Sequence, residues 1–286
     1  VGRRLERGTR GEPVPGLTGL RLSVVASKVS DMATLPNPLP KLAADPSGSS
    51  LGLELPPGRL IDVTAEGPSD EPLLWCADGP AGPGDYDALR SARTAGLLPL
   101  LMDVDGNHGG PEKWELRPDE MSYPGDHDAD EVLEDFWEEY TDEGDEWPGL
   151  AEPLTLVADP DERAAEVADS LAGGGPGFKA PHLALVPARR SADIPAAIGW
   201  MGPVNQENDT ARLCAVLRSW EDRFGIRVVA LGFDRLTVSV AAPPADLDEA
   251  EEVAAEHFAF CPDDIGDLET YAQKLIGQPT WSFWWD

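Results

Sequence analysis

Two residue pairs in this chain have the types and spacing to do chemistry by proximity. His257 and Cys261 stand four apart near a predicted helix end, so both side chains can share one face. They could begin a zinc site, but such sites take three or four ligands. His182 and Cys214 would have to be brought in by the fold. The same pair could act as base and nucleophile. A catalytic thiol needs an electropositive setting, whereas Asp263 and Asp264 follow Cys261 directly. The structural alternative is a core histidine on the stripe of Ala250, Val253 and Ala254, bonded to backbone, beside a buried thiol. That reading is preferred, and neither a metal nor a cofactor is predicted.

Two loops match known binding motifs only in part. "DVDGNHGG" (103–110) spaces Asp103, Asp105 and Asn107 like the first calcium ligands of an EF-hand. His108 then replaces the required glycine and Trp114 replaces the closing glutamate, so a turn is expected. "GGGPGFKA" (173–180) lacks the ending of a phosphate loop and reads as a linker.

Carboxylates are too abundant to single out an acid–base pair. The chain has 53 Asp and Glu against 22 Lys and Arg, a formal charge of −31 over 286 residues. Phosphate recognition needs a basic patch, so nucleic acid is excluded as a ligand. Anionic membrane surfaces are excluded for the same reason. A basic protein partner, met by electrostatic steering, suits the charge. Three cysteines at wide spacing form neither a disulfide framework nor a metal knuckle, which points to a reducing cytoplasm. No apolar run reaches the length of a membrane span.

The elements that must position these residues read as follows. Residues 1–31 carry six bases and three acids, opposite in sign to the rest. Val1 reads as a valine-coded start, and Met32 is the expected natural one, with 1–31 disordered or untranslated. Residues 1–58 form a loop-rich N-terminus. A module over 59–172 has strands at "RLIDVT", "PLLWCA", "LLPLLMD" and "LTLVA", with helices at "DYDALRSARTAG" and "DERAAEVADSLA". Pro99 within "LLPLLMD" predicts an edge strand or a bulge. Residues 119–146 hold fourteen acids and no Lys or Arg. Val132, Leu133, Phe136, Trp137 and Tyr140 within them keep helical spacing, which predicts an acidic amphipathic helix.

A C-terminal domain over 178–286 is more legible. A strand at "HLALVPA" is followed by a long irregular segment, 189–207. A helix with Leu213, Val216, Leu217, Trp220 and Phe224 on one stripe comes next. "RVVAL" and "LTVSV" form a hairpin. Asp246 opens a further helix in the manner of a capping box, a second runs over about 267–276, and "PTWSFWWD" is the last strand. This β-α-β-β-α-(α)-β order predicts an α+β, ferredoxin-like (split β-α-β) domain with an antiparallel sheet. Right-handed crossovers would set the last strand beside the first, at an edge.

The same third of the chain, with "LRSWEDRFG", "AAEHFAFCPD" and "WSFWWD", resembles the bacterial family catalogued as domain of unknown function 4253, over about 178–286. "TAGLLPLLMD" also resembles the upstream part of such proteins. The resemblance implies no activity. The family pattern has a longer Gln-Gly-containing linker after the CPD element, and "CPDDIGDLETYA" here is short.

Long irregular loops in compact domains are often functional. Trp200 and Asn205 in the 189–207 segment, Asp263 in the Cys261-Pro262-Asp263 turn and Trp284 on the last strand are the candidate binding residues. Trp200 could instead plug the sheet against the N-terminal module. The function expected is a non-catalytic acidic interaction module, an inhibitor or immunity-like protein being one form. The alternative is a hydrolase or transferase with its site between the 189–207 loop and the Cys261 turn.

Overall fold

The computed structural model describes residues 36–286 except Asp105, Gly175 and Pro176, and leaves the Asp264 side chain undescribed. The expectations for residues 1–35 lie outside this range. Nine strands are present among the described residues: β1 (Gly58–Ile61), β2 (Val63–Thr64), β3 (Gly67–Pro68), β4 (Leu74–Pro80), β5 (Leu97–Met102), β6 (His182–Pro187), β7 (Arg227–Leu231), β8 (Arg235–Ser239) and β9 (Thr280–Trp284). The helices are α1 (Pro40–Ala44), α2 (Asp85–Ala88), α3 (Ala129–Tyr140), α4 (Pro160–Ala172), α5 (Ile194–Ala197), α6 (Thr210–Phe224), α7 (Leu247–Phe260) and α8 (Leu268–Leu275).

Seven strands join one mixed sheet in the order β1-β4-β6-β5-β7-β8-β9, while β2 and β3 form a separate ribbon. Alternation along each strand assigns its residues to the two faces. Leu236 and Val238 of β8 and Trp281 and Phe283 of β9 pack with α3, α6, α7 and α8. Trp75, Leu97, Leu101, Leu183, Leu185 and Val229 form the opposite core with α1, α2 and α4. The fold is α+β with helices on both faces.

The ferredoxin-like order is not the one adopted. β6 already has β4 on one edge and β5 on the other, both antiparallel. No edge of β6 is left for β9, which instead pairs antiparallel with β8, from Arg235↔Trp284 to Ser239↔Thr280. The last strand does lie at the sheet edge. The sheet is not purely antiparallel either, because β5 and β7 run parallel.

The insertion of β6 between β4 and β5 also overrides the two-domain expectation. Residues 36–286 form one compact unit, and the boundary at 173–177 falls inside it. Phe178, just past the glycine run, is buried in the second core. Within 36–58 the loop contains a helical turn, α1, whose Leu42 is buried. "LTLVA" forms no strand. Leu156 and Val157 there are 52% and 70% exposed, and the segment is only strapped down, by Leu154 N–H to Arg223 O at 3.1 Å and Val157 N–H to Ala241 O at 2.9 Å. Pro99 sits in a central strand, paired across to Leu185 of β6.

The helix boundaries follow their capping residues. Asp209 accepts from the Ala211 N–H to start α6, and Gly225, at φ +62°, stops it. Asp246 Oδ1 accepts from the Glu249 N–H at 3.1 Å, while Glu249 Oε2 reaches back to the Ala245 N–H at 2.7 Å. One polar cluster then locks α6 to α7. Glu256, fully buried, takes Arg223 Nη1 and Nη2 at 2.6 Å each, Trp220 Nε1 at 2.7 Å and the Ala151 N–H at 2.7 Å. Four donors saturate the carboxylate, as a buried charge requires.

Candidate functional site

The acidic stretch 119–146 is built into the fold. Asp128 caps α3, accepting from the Asp130 and Glu131 N–H groups. Val132, Leu133, Phe136 and Trp137 are buried, and the helix packs on α6 and α7. Trp137 Nε1 donates to Asp145 O at 3.1 Å, and Trp147 Nε1 to Asp130 Oδ1 at 2.7 Å, holding the following loop. With its apolar side pinned, the stretch turns all fourteen carboxylates outward to exposed positions. Two of them meet an arginine. Asp135 lies 2.6 Å from Arg212, and Glu120 lies 3.6 Å from Arg117. The result is a rigid surface of largely uncompensated negative charge.

This face runs on toward the Cys261-Pro262-Asp263 turn. Burial, and then the charges of Glu139 and Asp263, raise the Tyr140 phenol above its ordinary pKa. The C-terminal end of α3 therefore lies within electrostatic reach of Asp263.

The four residues expected to bind a partner have different fates. Trp200 is 2% exposed. It donates Nε1 to Gly232 O at 2.9 Å, packs edge-on against Trp285 and bridges to Leu116. It plugs the core, as the structural alternative held, and offers no surface. The 189–207 segment is also more regular than its sequence suggests, with a 3-10 turn at Ser191–Asp193 running into α5. Asn205 and Asp263 converge on Asp286, and the Trp284 side chain bonds elsewhere. Asn205 Nδ2 donates to Asp286 O at 2.5 Å, and the Asp286 N–H donates to Asp263 Oδ2 at 3.1 Å. Trp284 is half-buried and donates Nε1 to Asp234 Oδ2 at 3.1 Å. Trp285 Nε1 meets Gln206 Oε1 at 2.8 Å. These bonds clasp the last strand to its neighbours.

His257 and Cys261 do not act as a pair. His257 is wholly buried among Trp220, Trp281 and Phe283. Its Nδ1 lies 3.0 Å from the Tyr271 hydroxyl, so the partner is a side chain and not backbone. Its Nε2 has no hydrogen-bond partner among the described residues. Desolvation lowers the imidazole to about 3, so it is neutral at neutral pH. The Cys261 thiol donates to Trp284 O at 3.1 Å. Among the described residues no group of three or more His, Cys, Asp or Glu could hold a metal ion.

The "DVDGNHGG" loop borders a cleft of about 270 Å³ at the C-terminal ends of β5 and β7, together with Lys179, Asp234, Arg235 and Trp284. His108 stacks flat on Phe233, with centroids 4.1 Å apart. The ends of parallel strands are where open sheets place ligand sites.

The fold and its acidic face define an α+β protein with a mixed seven-stranded sheet. Residues 182–286 match the family model described as domain of unknown function (DUF4253), in line with the resemblance of the C-terminal third. No curated protein and no solved structure gives a match. Among the described residues no helix is long and apolar enough to cross a membrane.

Proposed function

We propose that the protein is a non-catalytic interaction module whose α3 face engages a basic protein partner, as an inhibitor or immunity-like protein would. One observation carries this reading: α3 is anchored by Val132, Leu133, Phe136 and Trp137, so its carboxylates are held in fixed positions. A fixed charge pattern steers and orients a partner better than a loose acidic tail. Asp263 extends the same face, and Trp284 keeps some exposed ring to serve as an aromatic anchor. All three cysteines are buried thiols outside any disulfide, which suits a reducing cytoplasm.

The test is capture of a partner from native lysate at low salt, by the natural protein and by the variant Glu134→Gln/Glu138→Gln/Glu139→Gln. A basic partner retained by the first and lost by the second, and lost from both at high salt, supports the reading. Equal capture by both proteins rules out α3 as the docking face.

A hydrolase or transferase reading has one support, the cleft where Asp103, His108 and Asp234 meet at the ends of β5 and β7. This cleft is separate from the 189–207 loop and the Cys261-Pro262-Asp263 turn, where the sequence pattern puts such a site. Retained turnover of a model ester by His108→Ala would remove it.

A further inference from the structure

At the centre of the sheet, β5 and β7 pair at only two levels, Leu101 with Ala230 and Met102 with Leu231. Toward their N-terminal ends the ladder stops. Pro99 has no N–H to contribute there. On the β7 side, the Ser191 hydroxyl stands in for a neighbouring strand. It accepts from the Val228 N–H at 2.6 Å and donates to Val228 O at 3.4 Å. The seam stays open, and a cavity of about 320 Å³ lies along it. This volume is at the small end of ligand pockets.

The lining divides by chemistry. Leu98, Pro99, Ala164 and Ile194 make it apolar on one side. Arg90, Arg93 and Arg227 bring three guanidinium groups to it, in a chain with only 22 basic residues. Arg227 is partly spent, with Nε 2.7 Å from Asp161 and Nη1 3.4 Å from Glu221. Arg93 commits Nη1 to Asp161 at 3.2 Å, and Arg90 commits Nε to Asp87 at 2.5 Å. Each guanidinium carries five N–H donors, so Arg90 and Arg93 keep most of theirs.

Tyr86 adds a neutral donor to this lining. It is 6% exposed. The charges acting on it are those of Asp161, Arg227, Arg93 and Arg90, so it sits among the cavity's arginines. Burial keeps the phenol protonated and therefore a donor. As a residue lining the cavity, it can donate to an acceptor that arrives there.

We propose that this cavity binds a small molecule with an oxyanion head, held by Arg90, Arg93 and the Tyr86 hydroxyl, and an apolar body over Leu98, Pro99 and Ile194. Arg227 fixes the back wall through Asp161. This site is independent of the acidic face on α3.

The test is calorimetric titration of the full chain with inorganic phosphate and, separately, with benzoate, each at constant ionic strength. Saturable one-to-one binding of benzoate alone assigns a carboxylate head, and binding of phosphate alone assigns a phosphate head. In either case Arg90→Gln/Arg93→Gln should weaken affinity about tenfold or more, as loss of charged hydrogen bonds does. Both side chains are about half exposed, so the variant should fold, which an unchanged melting temperature of the free protein would verify. Tyr86→Phe should weaken binding as well; if it does not fold, the arginine variant decides alone. No heat from either probe at millimolar concentration, or unchanged affinity in the arginine variant, overturns the proposal.

Discussion

The Arg223 guanidinium and the Glu256 carboxylate meet side-on, two nitrogens against two oxygens at 2.6 Å each, at the junction of α6 and α7. Glu256 is wholly buried and Arg223 is 10% exposed. With the Trp220 Nε1 bond to the same carboxylate at 2.7 Å, the pair pins the two helices together.

Removing both partners should therefore cost no more than removing one. Arg223→Leu strands a buried carboxylate and should lower stability by about 3–5 kcal/mol. In Arg223→Leu/Glu256→Leu the charge is gone, but the Trp220 and Ala151 N–H groups lose their acceptor, each at about 1–3 kcal/mol. Urea unfolding of the two variants checks the order. A double variant that is markedly less stable than the single one would show that the pair itself is net stabilising.

The pH dependence of stability should carry the signature of His257. Its folded pKa is about 3 against an ordinary 6.5. Between these values the unfolded chain binds the extra proton, so stability is full above 6.5 and declines as pH falls toward 3. The slope reaches about 1.4 kcal/mol per pH unit. Carboxylates titrate in the same range, so the readout is the difference in slope between the natural protein and His257→Asn. The His257 ring nitrogens should also hold constant chemical shifts from about pH 8 to about pH 5. A ring that titrates near its ordinary value would contradict its burial.

The last strand should be indispensable. Trp281, Phe283 and Trp285 are each 2% exposed, and burying each contributes about 2–3 kcal/mol. Truncation after Gln278 should leave no cooperative unfolding transition. Trp281→Ala should cost about 3–5 kcal/mol. Trp284→Ala should cost less than half of that, because its ring is half-buried and keeps one side-chain bond, to Asp234. Equal losses would place Trp284 in the core.

Neutralising α3 should strengthen the fold while weakening the proposed contact. Glu134 and Glu138 are like charges at i, i+4, and no basic residue stands in the helix's last turn. Such pairs cost about 0.2–0.5 kcal/mol, and acids at a helix C-terminus oppose its dipole by about 0.3–1 kcal/mol each. Glu134→Gln/Glu138→Gln/Glu139→Gln should raise the melting temperature. A lowered one would mean that these carboxylates make stabilising contacts.

A backbone test is available at Gly199, whose φ is +64°. A Cβ there would collide with the Pro118 nitrogen and the Arg117 backbone, which cannot move aside freely. The left-handed conformation alone costs about 1–2 kcal/mol for other residues, so Gly199→Ala should lose more than this in chemical denaturation. A near-neutral variant would refute the close approach of 117–118 to Gly199.

Local pattern made much of this fold legible. The α6 stripe, the β7–β8 hairpin, the Asp246 cap and the amphipathic α3 all follow from spacing and capping chemistry. Strand order did not, because pairing joins residues far apart: Leu183 of β6 lies opposite Leu101 of β5. Pro99 signalled an edge because a strand proline lacks a donor, yet an open seam inside a sheet relieves the same constraint. Trp200 looked exposable because nothing near it in sequence provides the Gly232 carbonyl that takes its N–H. Tyr86, Arg90 and Arg93 share one short stretch, but Arg227 comes from 134 positions beyond Arg93, so the cavity became visible only once the chain was folded.

The short ladder between β5 and β7 has a mechanical consequence. A sheet with full rungs carries load through its peptide groups. Here the four strands β1, β4, β6 and β5 are joined to the three strands β7, β8 and β9 by two rungs and by side chains. Such a seam should flex more readily than a fully paired one, and a molecule filling the cavity along it should stiffen it.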